Sequence, residues 1–232
     1  MKKLLSKGIG MVLSLVCMSI CVFPNYIAQA AETTDKVEVD AFTPSVDSTW
    51  GDLYQHFDPQ GYDALTDSEK RLYHSILLKE IAETSEENMN TVMTESGVDI
   101  LGNKDFENVV SLSGYLYSND NTNRAINING LLSLVMGLAS TKDSIEYTTA
   151  FASTITCPRL AISMSIYDVK DGKYVGFNRG YDDNVKIFTL DDTFDGLKSK
   201  TEYTVQAVGT VTPPEGYISS GPLVTLDNKK TK

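Results

Sequence analysis

Two periodicities divide the chain. From residue 48 to about residue 97 apolar positions recur every three or four residues, and from about residue 106 they alternate with polar ones, so helices precede strands. Trp50, Leu53, Tyr54 and Phe57 mark one helical face, which Asp58-Pro59-Gln60-Gly61 interrupts. Thr66-Asp67-Ser68-Glu69 opens a second helix as a capping box, in which the Thr hydroxyl and the Glu carboxylate each satisfy a free backbone N–H. Leu72, Tyr73, Ile76, Leu77 and Ile81 form its apolar side. A further helical turn holding Met89, Val92 and Met93 stops at Gly97.

The second half reads as successive antiparallel strands. Residues 109–117 form the first, the polar run 119–123 (NDNTN) turns the chain, and Asn129-Gly130 is a hairpin signal between 125–128 and 131–135. The apolar segment LLSLVMGLA is compatible with a strand or a short buried helix. Ile145, Tyr147, Phe151, Ile155 and Cys157 alternate along one strand, and after Pro158 Leu160, Ile162, Met164 and Ile166 do so along another, both half-buried. Lys170-Asp171-Gly172-Lys173 supplies a hairpin turn, and short strands follow near 175–177, 185–190, 203–211 and 218–226. The fold class expected is α+β, a helical segment over 48–105 followed by an antiparallel β-sandwich over 106–232.

The first 30 residues have the form of a secretory leader. Lys2, Lys3 and Lys7 precede an apolar core from Ile9 to Phe23, and Ala28-Gln29-Ala30 offers a small-x-small cleavage site, so cleavage is expected after Ala30. The apolar run breaks at Pro24-Asn25, short of the roughly 20 residues that span a bilayer, and the positions before Cys17 and Cys21 lack the small residue of a lipid-anchoring site. A bacterial protein released outside the cell, with no stable membrane anchor after processing, is the expectation. Residues 31–47, polar and acidic, read as a flexible lead-in.

Charge and cysteine count narrow the partners. The 20 Lys and Arg face 31 Asp and Glu, a net charge of -11, and loss of the leader's three lysines leaves 17 against 31, or -14, which opposes non-specific nucleic-acid binding. Only Cys157 remains after cleavage, and it reads as a buried structural thiol.

Chemistry-bearing motifs are sparse. The chain lacks HExxH, CxxC, GxSxG, GxxxxGK[ST] and GxGxxG, and its two histidines, His56 and His74, sit at helix positions that suit capping or exposure. No organic cofactor is therefore expected. Asp191, Asp192 and Asp195 sit where loops are expected and are candidate ligands for Ca²⁺, which favours several oxygen donors at flexible spacing. Tyr174 and Tyr181 flank an expected loop and are candidate ligand-binding rings, since an exposed tyrosine stacks on sugars or anchors a protein interface.

The segment Gly196-Leu197-Lys198-Ser199-Lys200-Thr201-Glu202-Tyr203-Thr204-Val205-Gln206-Ala207 resembles the corner and following strand of fibronectin type III domains, and residues 219–226 (SSGPLVTL) resemble the last strand. The resemblance covers roughly 145–227. It implies an immunoglobulin-like sandwich in which Leu197 and Tyr203 are structural, the Tyr203 hydroxyl bonding back to the backbone of the loop. Ser199 stands where the family's corner carries proline, and the only Trp, Trp50, lies far upstream of the family's usual position. The resemblance implies a binding or spacing role and carries no catalytic residues. The sequence thus points to a secreted, non-catalytic binding or spacer protein with an extracellular glycan or protein as partner. Two alternatives are a secreted hydrolase using an acidic pair and an antagonistic, membrane-active protein exposing 131–138. Oligomeric state is left open.

Overall fold

The computed structural model describes residues 41–80, 106–118 and 127–232. Every described residue lies within one compact unit, Val39–Lys232. The leader, the turn at 119–123 and the helical turn around Met89 to Gly97 fall outside the described residues.

Among the described residues three short helices precede the strands: α1 (Trp50–Phe57), α2 (Pro59–Asp63) and α3 (Asp67–His74). Each has a sequence-encoded start. Thr49 and Asp52 cap α1 reciprocally, the Asp58 carboxylate accepts from Gly61 N–H to open α2 behind Pro59, and the expected Thr66/Glu69 box opens α3. His74 ties the three together, one ring nitrogen 2.9 Å from Thr49 Oγ1 and the other 2.7 Å from the Tyr62 hydroxyl. Helix α3 ends at His74, so Ile76 packs from the segment beyond it. Phe42, placed in the expected lead-in, instead pairs with Tyr174 through two backbone hydrogen bonds of 3.0 and 2.8 Å.

Seven strands form one antiparallel sheet: β1 (Asn108–Ser118), β2 (Asn127–Ser140), β3 (Ile145–Asp168), β4 (Lys173–Phe194), β5 (Glu202–Thr212), β6 (Tyr217–Ser219) and β7 (Leu223–Lys230). The backbone order is β6-β1-β2-β3-β5-β7, with β4 along the other edge of β3. Strand β3 is the hinge of the architecture. Its first half, to Ser153, pairs with β2, and its second half, from Arg159, pairs with β5, so the sheet changes neighbours along a single strand. The break falls in the irregular stretch between Ala152 and Cys157, where the register with β4 slips. Pro158 adjoins it, a place where a residue without an N–H is tolerated. Sequence alone split this 24-residue strand in two and did the same to the 22-residue β4, because Pro158 and the polar Asp182-Asp183-Asn184 look like chain breaks.

Asn129-Gly130 is likewise not a hairpin turn. Both residues lie inside β2, and Asn129 is the extra residue where β1 and β2 slip register at Leu116/Tyr117, so the glycine signal marks a bulge. The ambiguous 131–138 segment is strand, with Leu132, Leu134, Val135, Met136 and Leu138 buried.

The sheet curls so that the inner faces of its two halves share one core. Leu132, Leu134, Met136 and Phe151 from the first half meet Leu160, Ile162, Met164, Val205 and Leu223 from the second. Gly114 on β1 permits a close approach, for a Cβ there would lie 2.7 Å from Leu223 Cδ2. At the rim Glu107 accepts from Lys229 Nζ and Lys232 Nζ at 2.7 Å each, tying the start of β1 to the end of β7. The two ammonium groups hold the Glu107 carboxyl down at about 2. That contribution to stability is complete above the ordinary glutamate range and fades as pH falls from about 4.5 towards 2. Because Glu107 is 40% exposed, about 1 kcal/mol or less is expected. In acid titrations of urea stability, Glu107→Gln should flatten this part of the curve; an unchanged curve would reject the clasp.

The second half has another buried face. Ser163 and Ser165, which alternate opposite the apolar residues of their strand, are buried, as is Thr210 on β5. Trp50 Nε1 donates to Ser163 Oγ at 2.8 Å, and the Tyr73 hydroxyl lies 3.3 Å from Thr210 Oγ1. Ser165 Oγ and the Tyr174 hydroxyl donate to Gln206 Oε1 at 3.2 and 3.1 Å. The hydroxyl-rich strand face therefore forms a polar seam whose hydrogen bonds are met from the helices and from within the sheet. Trp50, Leu53, Tyr54 and Tyr73 pack there with Val208 and Tyr174. Among the described residues no helix is long and apolar enough to cross a membrane.

Cys157 is buried, and burial raises its thiol above the ordinary value. Native protein at neutral pH is expected to resist iodoacetamide until urea unfolds it; rapid native alkylation would contradict this environment.

Candidate functional site

Where the helices meet β3 and β4, a cleft of about 190 Å³ remains. From the helical segment Tyr54, Gly61, Glu69 and Tyr73 line it, and from β3 and β4 Arg159, Arg179 and Tyr181. Odd-numbered residues of β3 from Arg159 to Tyr167 and of β4 from Phe177 to Asp183 share this side, the face that presents Ser163 to Trp50.

Both arginines are fixed by carboxylates. Arg159 donates to Asp183 through Nε at 2.8 Å and a terminal nitrogen at 3.4 Å, reaches Glu69 at 3.5 Å, and lies 4.2 Å from the centroid of the Tyr181 ring. The hydrogen bond to Asp183 raises the arginine further and lowers the Asp183 carboxyl. Arg179 Nε donates to Asp58 Oδ2 at 2.6 Å, the carboxylate that also opens α2. Its guanidinium lies over Tyr54, 5.2 Å from the ring centroid. Burial pushes the Tyr54 and Tyr73 hydroxyls up, so both remain protonated donors at neutral pH.

Gly61 makes this packing possible. A Cβ there would come within 2.0 Å of a terminal nitrogen of Arg179 and 2.1 Å of Asp58 Oδ2, so any larger residue must displace the pair. Gly61→Ala is expected to cost little stability, since the arginine can swing outward, while removing the Arg179–Asp58 contact that shapes the cleft. A crystal structure of the variant with that contact intact would overturn the assignment.

The structure separates the candidate ligand-binding tyrosines. Tyr181 stands at the cleft, 50% exposed, whereas Tyr174 is 3% exposed and committed to Gln206 and Phe42, so it is unavailable to a ligand. Both lie within β4, Tyr174 at its start after the β3–β4 turn, so the chain between them is strand and not loop. The metal candidates also change place. Asp191 and Asp192 are consecutive residues of β4, not loop residues, so their side chains leave opposite faces of the sheet, while exposed Asp195 follows the strand. Asp191 accepts from Thr148 Oγ1 at 2.9 Å and Asp192 accepts from Asn178 Nδ2. Among the described residues no group of three His, Cys, Asp or Glu is arranged to hold a metal. The Tyr203 hydroxyl accepts from Lys198 N–H at 2.9 Å, and Leu197 packs on the main core.

Arg159, Arg179 and Glu69 were not among the sequence-derived candidates. An odd-position pattern on two paired strands, Arg159, Ala161 against Arg179, Tyr181, was the available signal, hidden because those strands were read in pieces.

No family model and no curated protein matches the chain. Among solved structures, a Bacteroides fragilis protein assigned as a beta-galactosidase is similar at 15% identity over 42% of this chain and 18% of that one, TM-score 0.26. An Arabidopsis thaliana protein solved in solution is similar at 15% identity over 55% of this chain and 86% of that one, TM-score 0.27. The match thus spans under a fifth of the first protein, and at these scores neither likeness bears on the site.

Proposed function

We propose that the protein is exported and acts outside the cell as a non-catalytic binding module, with an extracellular glycan held at the helix–sheet cleft. The observation that carries this reading is Tyr181: a half-exposed ring backed by a guanidinium, at the edge of a cleft whose polar groups are held in fixed positions by ion pairs. Fixed donors and acceptors beside an aromatic face suit a hydroxyl-rich ring. At about 190 Å³ the cleft is smaller than the roughly 300–1,000 Å³ of a drug-sized pocket, so it suits one sugar residue of a longer chain. Among the described residues Glu69 is the one carboxylate lining it, and Arg159 holds it, an arrangement that favours binding over paired-acid hydrolysis.

The fibronectin type III-like sandwich belongs to the same reading. Its support is the strand arrangement, in which the first half of β3 lies between β2 and the last part of β4 while its second half lies between β5 and the first part of β4, with β7 beyond β5, together with the Tyr203 corner. An experimental structure with two layers about 10 Å apart would sustain it; a single open layer would not.

The test is an array of cell-wall glycans, host glycans and matrix proteins, probed with the secreted protein with and without Ca²⁺, with products read from the same wells. Saturable glycan binding, weakened about fivefold by Tyr181→Ala, is expected, in line with the ~1 kcal/mol scale of an aromatic contact. Product release would turn the case to hydrolysis. Glycan binding indifferent to Tyr181 would move the site elsewhere.

A further inference from the structure

Among the described residues no backbone ladder joins β1 to β7. Near Asn108, β1 pairs with β2 alone, because β6 meets it only at Leu116 to Ser118, and near Lys229, β7 pairs with β5 alone. Side chains span this gap. Lys229 Nζ lies 2.7 Å from Glu107 Oε2 and 3.0 Å from Asn108 Oδ1, while Asn108 Nδ2 donates to Asp227 Oδ2 at 2.6 Å. The Lys229 side chain is only 8% exposed, and a buried ammonium is costly to hold even when it is paired. An amine, a carboxamide and a carboxylate in mutual contact are the parts of an amide exchange, in which the amine takes the place of the carboxamide nitrogen.

We propose that Lys229 and Asn108 join in an intramolecular isopeptide bond, with Glu107 carrying the proton. Because a C=O bond is about 1.2 Å long, Asn108 Cγ lies within about 4 Å of the amine, a small displacement from the roughly 3–3.5 Å of a near-attack pair. Glu107 accepts one proton from the Lys229 ammonium, which frees the lone pair on Nζ. That pair forms the Nζ–Cγ bond. The Cγ–Nδ2 bond then breaks, and Nδ2 leaves as ammonia with the proton that Glu107 held. The second Nζ proton follows it, so an ammonium group and a primary carboxamide become a secondary amide and a free ammonium ion, with no oxidant, reductant or second substrate. Asp227, bonded to Nδ2, fixes the plane of the carboxamide during the exchange. The step removes a buried charge and happens once in the life of each molecule, so it need not be fast. Glu107 stays paired afterwards through Lys232 Nζ. The link suits a chain whose one cysteine beyond the leader-like segment, Cys157, has no partner for a disulfide, since it closes residues 108 to 229 into a single loop as a disulfide would.

Tryptic peptide mapping of the folded, unmutated protein by mass spectrometry tests this. One branched peptide is expected, joining the Asn108 and Lys229 segments, lighter by one ammonia than the sum of the two and uncut after Lys229. Asn108→Ala should abolish it. Glu107→Gln should slow its formation about a hundredfold, the scale of a lost proton carrier, in a protein whose circular dichroism matches the parent. Linear peptides with an intact Asn108 and a free Lys229 amine in the parent protein would overturn the proposal, leaving the cluster an ion pair with two hydrogen bonds. A link to Lys229 that persists in Asn108→Ala would overturn it as well, and formation at the parent rate in Glu107→Gln would overturn the part given to Glu107.

Discussion

Trp50→Ala is expected to lower the unfolding free energy by about 3–5 kcal/mol, the cost of emptying a large buried aromatic site. Trp50 has no exposed surface, packs with Leu53, Tyr54 and Tyr73 against Val208, and its indole N–H satisfies Ser163 Oγ. Removal leaves both a cavity and an orphaned hydroxyl at the centre of the polar seam. At roughly 2–4 °C per kcal/mol for a domain of this size, the melting temperature should drop by about 6–20 °C. The informative readout is how many transitions appear. Since Trp50 joins helices to the outer face of the sheet, far-UV circular dichroism and tyrosine fluorescence should move together in one transition. A helix signal that melts early, over a sheet whose midpoint is unchanged, would show that the helices are an appendage and not part of a common core.

Tyr203→Phe removes a single oxygen. That oxygen accepts from Lys198 N–H, and the ring beneath it is 1% exposed, so the substitution leaves a half-buried donor unmet without opening a cavity. A loss of about 1–3 kcal/mol is expected, measured as a lower urea midpoint with an unchanged slope. Burial raises the Tyr203 hydroxyl, so the bond persists through neutral pH and the loss should not vary between pH 6 and 8. An unchanged midpoint would reject a structural role for the corner.

The elements that were legible in the sequence are those whose causes are local. The Thr66/Glu69 box, the Lys170-Asp171-Gly172-Lys173 turn between β3 and β4, and the alternation from Tyr203 to Val211 each lie within a few residues of the groups that stabilise them. The Tyr203 corner spans five residues and was legible for the same reason. The misread elements depend on partners far away in the chain. Pro158 does not end its strand, because the bulge beside it falls where β2 gives way to β5 as a neighbour. Asn129-Gly130 does not turn, because β1 provides a register slip that absorbs it. Ser163 and Ser165 alternate as solvent-facing residues do, yet Trp50 and Gln206 satisfy their hydroxyls under cover.

The cleft divides along the same line. Tyr181 was recognisable as a candidate, but its equal standing with Tyr174 could not be resolved, since one residue's exposure depends on whether Phe42, more than a hundred positions earlier, pairs beside it. Arg159 and Arg179 acquire meaning only when the β3–β4 pairing sets them on one face and α2 and α3 bring Asp58 and Glu69 across. The sequence by itself determined the order of helices before strands, the caps and turns, the acidic charge and the absence of the common catalytic motifs. Tertiary structure alone decided that one bent strand serves two halves of a sheet, that the polar strand face is a core seam, and that Asn108 of β1 meets Lys229 of β7. Propensity and capping act within a few residues, whereas burial depends on which distant surface arrives to displace water.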